Sequence, residues 1–129
     1  MEPLILDASV LIGLLDTQDS HHHRAVDEVD QADGNSRPLL TAASAYSEAL
    51  IAFARARRLT DAREAIAGMG ITVVPLTASI AERAAEFRAR HDSLRLPDAL
   101  VLATAQQHNG TLITYDDRLA RIAGKPPKR

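Results

Sequence analysis

The side chains in this sequence best suited to chemistry are four carboxylates, Asp7, Glu48, Asp98 and Asp116. They are far apart in the chain, yet each falls where an apolar strand or helix would end, begin or face inward. Carboxylates that converge without histidine or thiol partners repel one another unless a hard cation lies among them. Such a cation, usually Mg2+ or Mn2+, commonly serves phosphoryl chemistry. Taken singly, each acid has a structural explanation. Asp7 and Asp116 can be turn or N-cap residues after an apolar run, Asp98 follows Pro97 in a first helical turn where an acid gains from the helix dipole, and Glu48 is an ordinary mid-helix glutamate. Two hydroxyls accompany the acids at a spacing of two, in Asp7-Ala8-Ser9 and Thr114-Tyr115-Asp116. Residues two apart on a strand share a face, which would aim Thr114 at the site that Asp116 enters. Ser9 is expected first as a helix cap. Asp117 competes with Asp116, and strand alternation favours Asp116.

The elements needed to bring these groups together are readable. Residues 3–7 form a short apolar run feeding a helix over 8–16. A second helix is expected over 20–32, capped by Ser20 and closed by the turn-like run 33–36. Leu39-Leu40 suggests a very short strand, followed by a strongly helical stretch over 43–57. Thr60 is expected to cap a further helix ending at Gly68 or Gly70. The β-branched run 71–74 is a strand, 77–91 carries a helical period, Pro97 opens a helix that Gly110 ends, and 111–115 is the last strand before a short helix. Strands separated by helices and apolar on both faces imply an α/β fold, a parallel sheet covered on both sides. In such a sheet ligands bind beyond the carboxyl ends of the strands, where Asp7 and Asp116 lie. Glu48 lies beside an apolar seam, and Asp98 opens a helix that can be aimed at the same crevice.

With 129 residues the chain fits one domain, expected over residues 1–123, followed by a basic tail at 124–129. It contains no cysteine, which excludes disulfides, thiolate zinc sites and a cysteine nucleophile, and no run approaches the roughly 20 apolar residues of a membrane span. A cytoplasmic location is expected. The net charge of -2 is not that of a broadly basic nucleic-acid binder, so phosphate contacts must be local. Arginine supplies most of the positive charge, with lysine only at 125 and 128, and Arg24, Arg95 and Arg118 are the candidates for gripping phosphate. The run His21-His22-His23 reads as a structural or surface helix start, since three consecutive residues cannot face one ion from a helix. His91 and His108 suit helix C-termini.

Four segments, Leu-Asp-Ala-Ser at 6–9, Ser-Ala-Tyr-Ser-Glu-Ala-Leu at 44–50, Leu-Pro-Asp-Ala-Leu-Val-Leu-Ala-Thr-Ala at 96–105 and Leu-Ile-Thr-Tyr-Asp at 112–116, together resemble the PIN-domain ribonucleases of the VapC toxin family. The resemblance spans the chain in order. It implies a PIN-like α/β domain and the toxin of a type II toxin–antitoxin system, an endoribonuclease dependent on Mg2+ or Mn2+ that cuts RNA, often tRNA or rRNA. It further implies Asp7, Glu48, Asp98 and Asp116 as metal ligands, Ser9 and Thr114 as supporting hydroxyls, a cognate VapB-type antitoxin and a homodimer. A non-cleaving PIN-like module that binds RNA or protein is the alternative. A receiver-like signalling domain would want a lysine near the last strands, and an aspartyl phosphatase a second acid at position 9. Neither is present.

Overall fold

The computed structural model describes residues 1–124. Its strands are β1 (Leu4–Leu6), β2 (Leu39–Ala42), β3 (Ile71–Val74) and β4 (Thr111–Ile113), hydrogen-bonded in the order β3-β2-β1-β4 with every pairing parallel. Among the described residues there are seven helices: α1 (Ala8–Leu15), α2 (His22–Gly34), α3 (Ala43–Arg55), α4 (Leu59–Gly68), α5 (Ala78–Arg90) and α6 (Leu96–Gln107) between the strands, and α7 (Asp117–Ala123) after β4. The α/β expectation therefore holds, and the expected tail lies outside the described residues except for Gly124, which closes α7.

Period-two alternation divides the core. Leu4, Leu6, Leu39 and Ile71 pack with Val10, Leu11, Val29 and Ile66 from α1, α2 and α4, whereas Leu40 and Leu112 pack with Ile80, Leu102 and Leu119 from α5, α6 and α7. Each face of the sheet is thus covered by its own set of helices, as the doubly apolar strands require. Helix α6 is buried almost all round from Asp98 through Ala105, whereas Leu96 and Pro97 at its start are exposed.

Several local expectations are corrected. Ser20 does not cap α2, which starts at His22. The turn before it is held instead by the Asp19 carboxylate, which accepts from the His21 backbone N–H at 3.0 Å. Thr60 lies inside α4, which starts one residue earlier after Arg58. Ser9 lies inside α1, with Asp7 at the N-cap position. The last strand stops at Ile113, short of Tyr115. Gly110 is not what turns the chain out of α6, because Asn109 takes the left-handed conformation there, at φ 50°. Gly110 instead serves close packing. A Cβ at this position would sit 2.8 Å from Ile5 Cγ1 and 2.9 Å from the Pro3 carbonyl oxygen.

From β1 the chain moves out through β2 to β3, then returns by α5 and α6 to place β4 on the other side of β1. β1 therefore has β2 on one side and β4 on the other, the switch in strand order beside which the ligand crevice of a parallel α/β sheet falls, beyond the carboxyl ends of β1 and β4.

Candidate active site

Asp7 is the residue directly after β1, and its own backbone N–H continues the ladder to the Ile113 carbonyl at 3.0 Å. The sheet thereby delivers its side chain to the crevice, where only 7% of the residue is exposed. Thr114 donates to Asp7 Oδ2 at 2.7 Å, and Ser9 reaches the same oxygen at 3.3 Å. Both hydroxyls also accept from backbone: Ser9 from Tyr115 N–H at 3.0 Å, and Thr114 from Asp116 N–H at 3.1 Å. The first turn of α1 is thus stitched to the segment after β4 through the carboxylate between them. Burial pushes the Asp7 carboxyl above its ordinary range. The Thr114 hydroxyl and the Ala8 backbone N–H oppose that, and the nearby charge of Asp98 adds to it.

Asp98 arrives from the other side, in the first turn of α6, with its side chain 8% exposed. Arg95, at the N-cap of that helix, holds it by two contacts, Nε to Oδ2 at 3.3 Å and Nη2 to Oδ1 at 3.5 Å. The loop before Arg95 is pinned by Arg88, which donates to the carbonyls of Asp92 and Leu94, and by the buried Leu94 side chain. Glu48 is reached from mid-α3. Although it remains exposed, partial burial raises its carboxyl above the ordinary range, with the charges of Asp7 and Asp98 adding and that of Arg95 opposing. Asp116 caps α7, accepting from Leu119 N–H at 3.1 Å, and its charge reaches Arg95. Asp117 is exposed in the first turn of α7.

The four acids therefore form one electrostatic group. Asp7 feels Asp98, Glu48 feels both, and Arg95 is favoured by Asp98 first and then by Glu48 and Asp116. They are not gathered tightly: among the described residues no three His, Cys, Asp or Glu side chains stand close enough to hold one ion. The donor chemistry nevertheless fits a hard cation, since it is all carboxylate and hydroxyl oxygen. Ser44, one turn before Glu48 on the same face of α3, also offers a buried Oγ with no hydrogen-bond partner.

Of the candidate arginines, Arg95 stands within the site. Arg24 lies at its flank, paired with Glu28 at 3.1 Å and set 4.8 Å over the Tyr115 ring. Arg118 is exposed near the start of α7. A cluster that sequence patterns did not expose surrounds Tyr115: His21 stacks on the ring at 4.3 Å, and the hydroxyl donates to Glu28 at 3.0 Å. Only the position of Tyr115 between Thr114 and Asp116 hinted at it. His22 meets the Gly13 carbonyl at 2.7 Å, and His23 is exposed, in keeping with structural and surface histidines. A groove of about 550 Å3 runs along the free side of β4, with Arg24, Glu28, Phe87 and Gln106 in its walls. Thr114 is its one shared boundary with the acids, so this groove adjoins the site without containing it.

The PIN domain family model matches residues 4–125, and the chain belongs to that family. No individual curated protein matches it significantly. Among solved structures, the chain is similar to a toxin–antitoxin complex from Klebsiella pneumoniae, with 25% identity over 95% of this chain and 92% of the other and a TM-score of 0.73. It also resembles VapC20 of Mycobacterium tuberculosis, described as a sarcin–ricin-loop-cleaving toxin, with 20% identity over 92% and 94% of the two chains and a TM-score of 0.71. VapBC2 of Rickettsia felis, solved on a DNA fragment from its promoter, has 12% identity over 92% of each chain and a TM-score of 0.73. The two neighbours of lower identity speak to the fold alone.

Proposed function

We propose that this chain is the toxin of a type II toxin–antitoxin system and an endoribonuclease dependent on Mg2+ or Mn2+. The observation that carries the reading is the electrostatic coupling of Asp7, Glu48, Asp98 and Asp116 to one another or to Arg95, with the Asp7 and Glu48 carboxyls raised by burial and by like charge. Leaving such charges together is costly unless a cation joins them. The membership in the PIN family and the likeness to a chain of the Klebsiella pneumoniae toxin–antitoxin complex support it.

In this reading Asp7 and Asp98 are the principal ligands, with Glu48 and Asp116 acting directly or through water. The divalent ion, when bound, supplies Lewis-acid activation of water and of the scissile phosphate. Thr114 and Ser9 fix the Asp7 carboxylate by donating to Oδ2, so its orientation is set before RNA arrives. Asp116 is oriented by its cap to Leu119. Arg24, Arg95 and Arg118 would contact phosphate, which is compatible with a net charge of -2 because the contacts are local. The RNA is tRNA or rRNA, the partner a VapB-type antitoxin, the assembly a homodimer and the compartment the cytoplasm. No helix of the described residues is long and apolar enough to cross a membrane.

The test is incubation of total RNA with purified, antitoxin-free protein and Mg2+ or Mn2+, beside EDTA and Asp98→Asn controls. Discrete cuts lost in both controls are expected. The wide spacing of the acids favours one second reading, a PIN module that binds RNA or protein without cutting. That reading gains if RNA binding persists with no cleavage and survives Asp98→Asn.

A further inference from the structure

Among the described residues, Arg95 is the one cation placed among the four acids, by its contacts with Asp98 and its coupling to Glu48 and Asp116. As the N-cap of α6 it has extended backbone, φ -78° and ψ 155°, which lays its side chain along the turn that carries Asp98. The guanidinium is the only side chain among the described residues that donates to the buried Asp98 carboxylate. The grip is loose. Contacts of 3.3 and 3.5 Å are long for a charge-assisted pair, which closes to about 2.7–2.9 Å when tight. Arg95 is itself 59% exposed, whereas Asp98 is 8% exposed. The carboxylate is fixed in the fold and the guanidinium can leave it for water.

We infer that Arg95 is a built-in competitor for the divalent cation. It neutralises Asp98 and, at longer range, Glu48 and Asp116 while the site holds no metal, and it gives up Asp98 when the ion binds. The released guanidinium, on a loop that Arg88 and Leu94 hold in place, then faces the phosphate of bound RNA. Arginine suits both states because its planar fork matches carboxylate and phosphate alike. The inference deepens the metal-nuclease reading and rests on it.

The experiment measures Mn2+ binding to the full chain by calorimetry and by the electron paramagnetic resonance of free Mn2+, without RNA. The proteins compared are the unmodified chain, Arg95→Ala, Arg95→Gln and Asp98→Asn, with circular dichroism to verify folding. Loss of the competing charge should tighten Mn2+ binding by about tenfold in both arginine variants, while Asp98→Asn weakens it. A second arm measures affinity for a total tRNA pool in EDTA and in Ca2+. Arg95→Ala should cost little affinity in EDTA, where the arginine is occupied, and several-fold more in Ca2+. Equal or weaker Mn2+ binding by both arginine variants overturns the inference and leaves the metal reading standing. Absence of saturable Mn2+ binding by the unmodified chain removes both.

Discussion

Strands β1 and β4 run side by side, and their two ends are built on opposite principles. At the amino end Gly110 lets the start of β4 press against Ile5 and Pro3 with no space for a single added carbon. At the carboxyl end the same pair of strands delivers Asp7, Ser9 and Thr114 into a hydrogen-bonded polar cluster facing further carboxylates. One end is sealed by shape, and the other is held in charge tension. The two ends share one parallel register, Leu4 against Thr111 through Leu6 against Ile113, so the contact of Gly110 with Ile5 and Pro3 and the placement of Thr114 beside Asp7 belong to the same pairing.

The comparison breaks most visibly at the charged end. Asp98→Asn should lower RNA cleavage by on the order of a hundredfold or more while leaving the melting temperature nearly unchanged, since relief of the repulsion from Asp7 and Glu48 offsets loss of the pair with Arg95. Cleavage assays beside thermal melts check this, and a parallel loss of both would show that Asp98 serves the fold. At the sealed end Gly110→Ala should cost about 1–3 kcal/mol in urea unfolding, because the nearest obstruction includes the Pro3 carbonyl as well as the flexible Ile5. A neutral result would mean that the amino end is looser than its contacts indicate.

Thr114→Val should cost about 1–2 kcal/mol by leaving the Asp7 oxygen and the Asp116 N–H without this partner, and Thr114→Ser should recover most of it. The smallest effect has the opposite sign. The Asp7 carboxyl lies above its ordinary value of 3.8 in the fold, so the folded protein binds that proton more tightly than the unfolded chain. Its contribution favours folding at acidic pH and turns against it as pH rises through the folded value. Asp7→Asn should therefore raise the melting temperature by a few degrees at neutral pH, with the gain shrinking towards about pH 4. A gain independent of pH would show that charge is not its source.

The elements that carry the site were legible because their signals are local. Leu4–Leu6 could hardly be other than a buried strand, and Pro97 announced the start of α6. Asp7 and Asp98 each had an ordinary cap or helix-dipole explanation on their own, and only the set of four acids pointed them at one crevice; the structure buries both. What failed was chemistry settled by space. Ser9 and Thr60 have the side chain of a cap but not the place of one, because α1 and α4 each begin before them. Gly110 resembled a helix stop, yet its role is set by Ile5 and Pro3, which lie far away in sequence. The Arg95–Asp98 pair and the His21–Tyr115 stack depend on side-chain directions that spacing does not fix. The separation of the acids in this conformation was equally invisible, since no pattern along the chain records distances across a crevice.

Tyr115 gives the molecule an optical property of its own. The chain has no tryptophan or cysteine and only two tyrosines, so the change in its near-ultraviolet absorbance on raising the pH comes from Tyr46 and Tyr115. Partial burial, followed by the bond to Glu28, raises the Tyr115 phenol well above the ordinary 10.0. In an alkaline spectrophotometric titration of the folded protein, the Tyr115 chromophore should stay in its phenol form beyond the pH at which a free tyrosine turns to phenolate. Because that ring sits one peptide bond from Thr114 and one from Asp116, its absorbance offers an intrinsic, label-free optical signal from the edge of the carboxylate cluster.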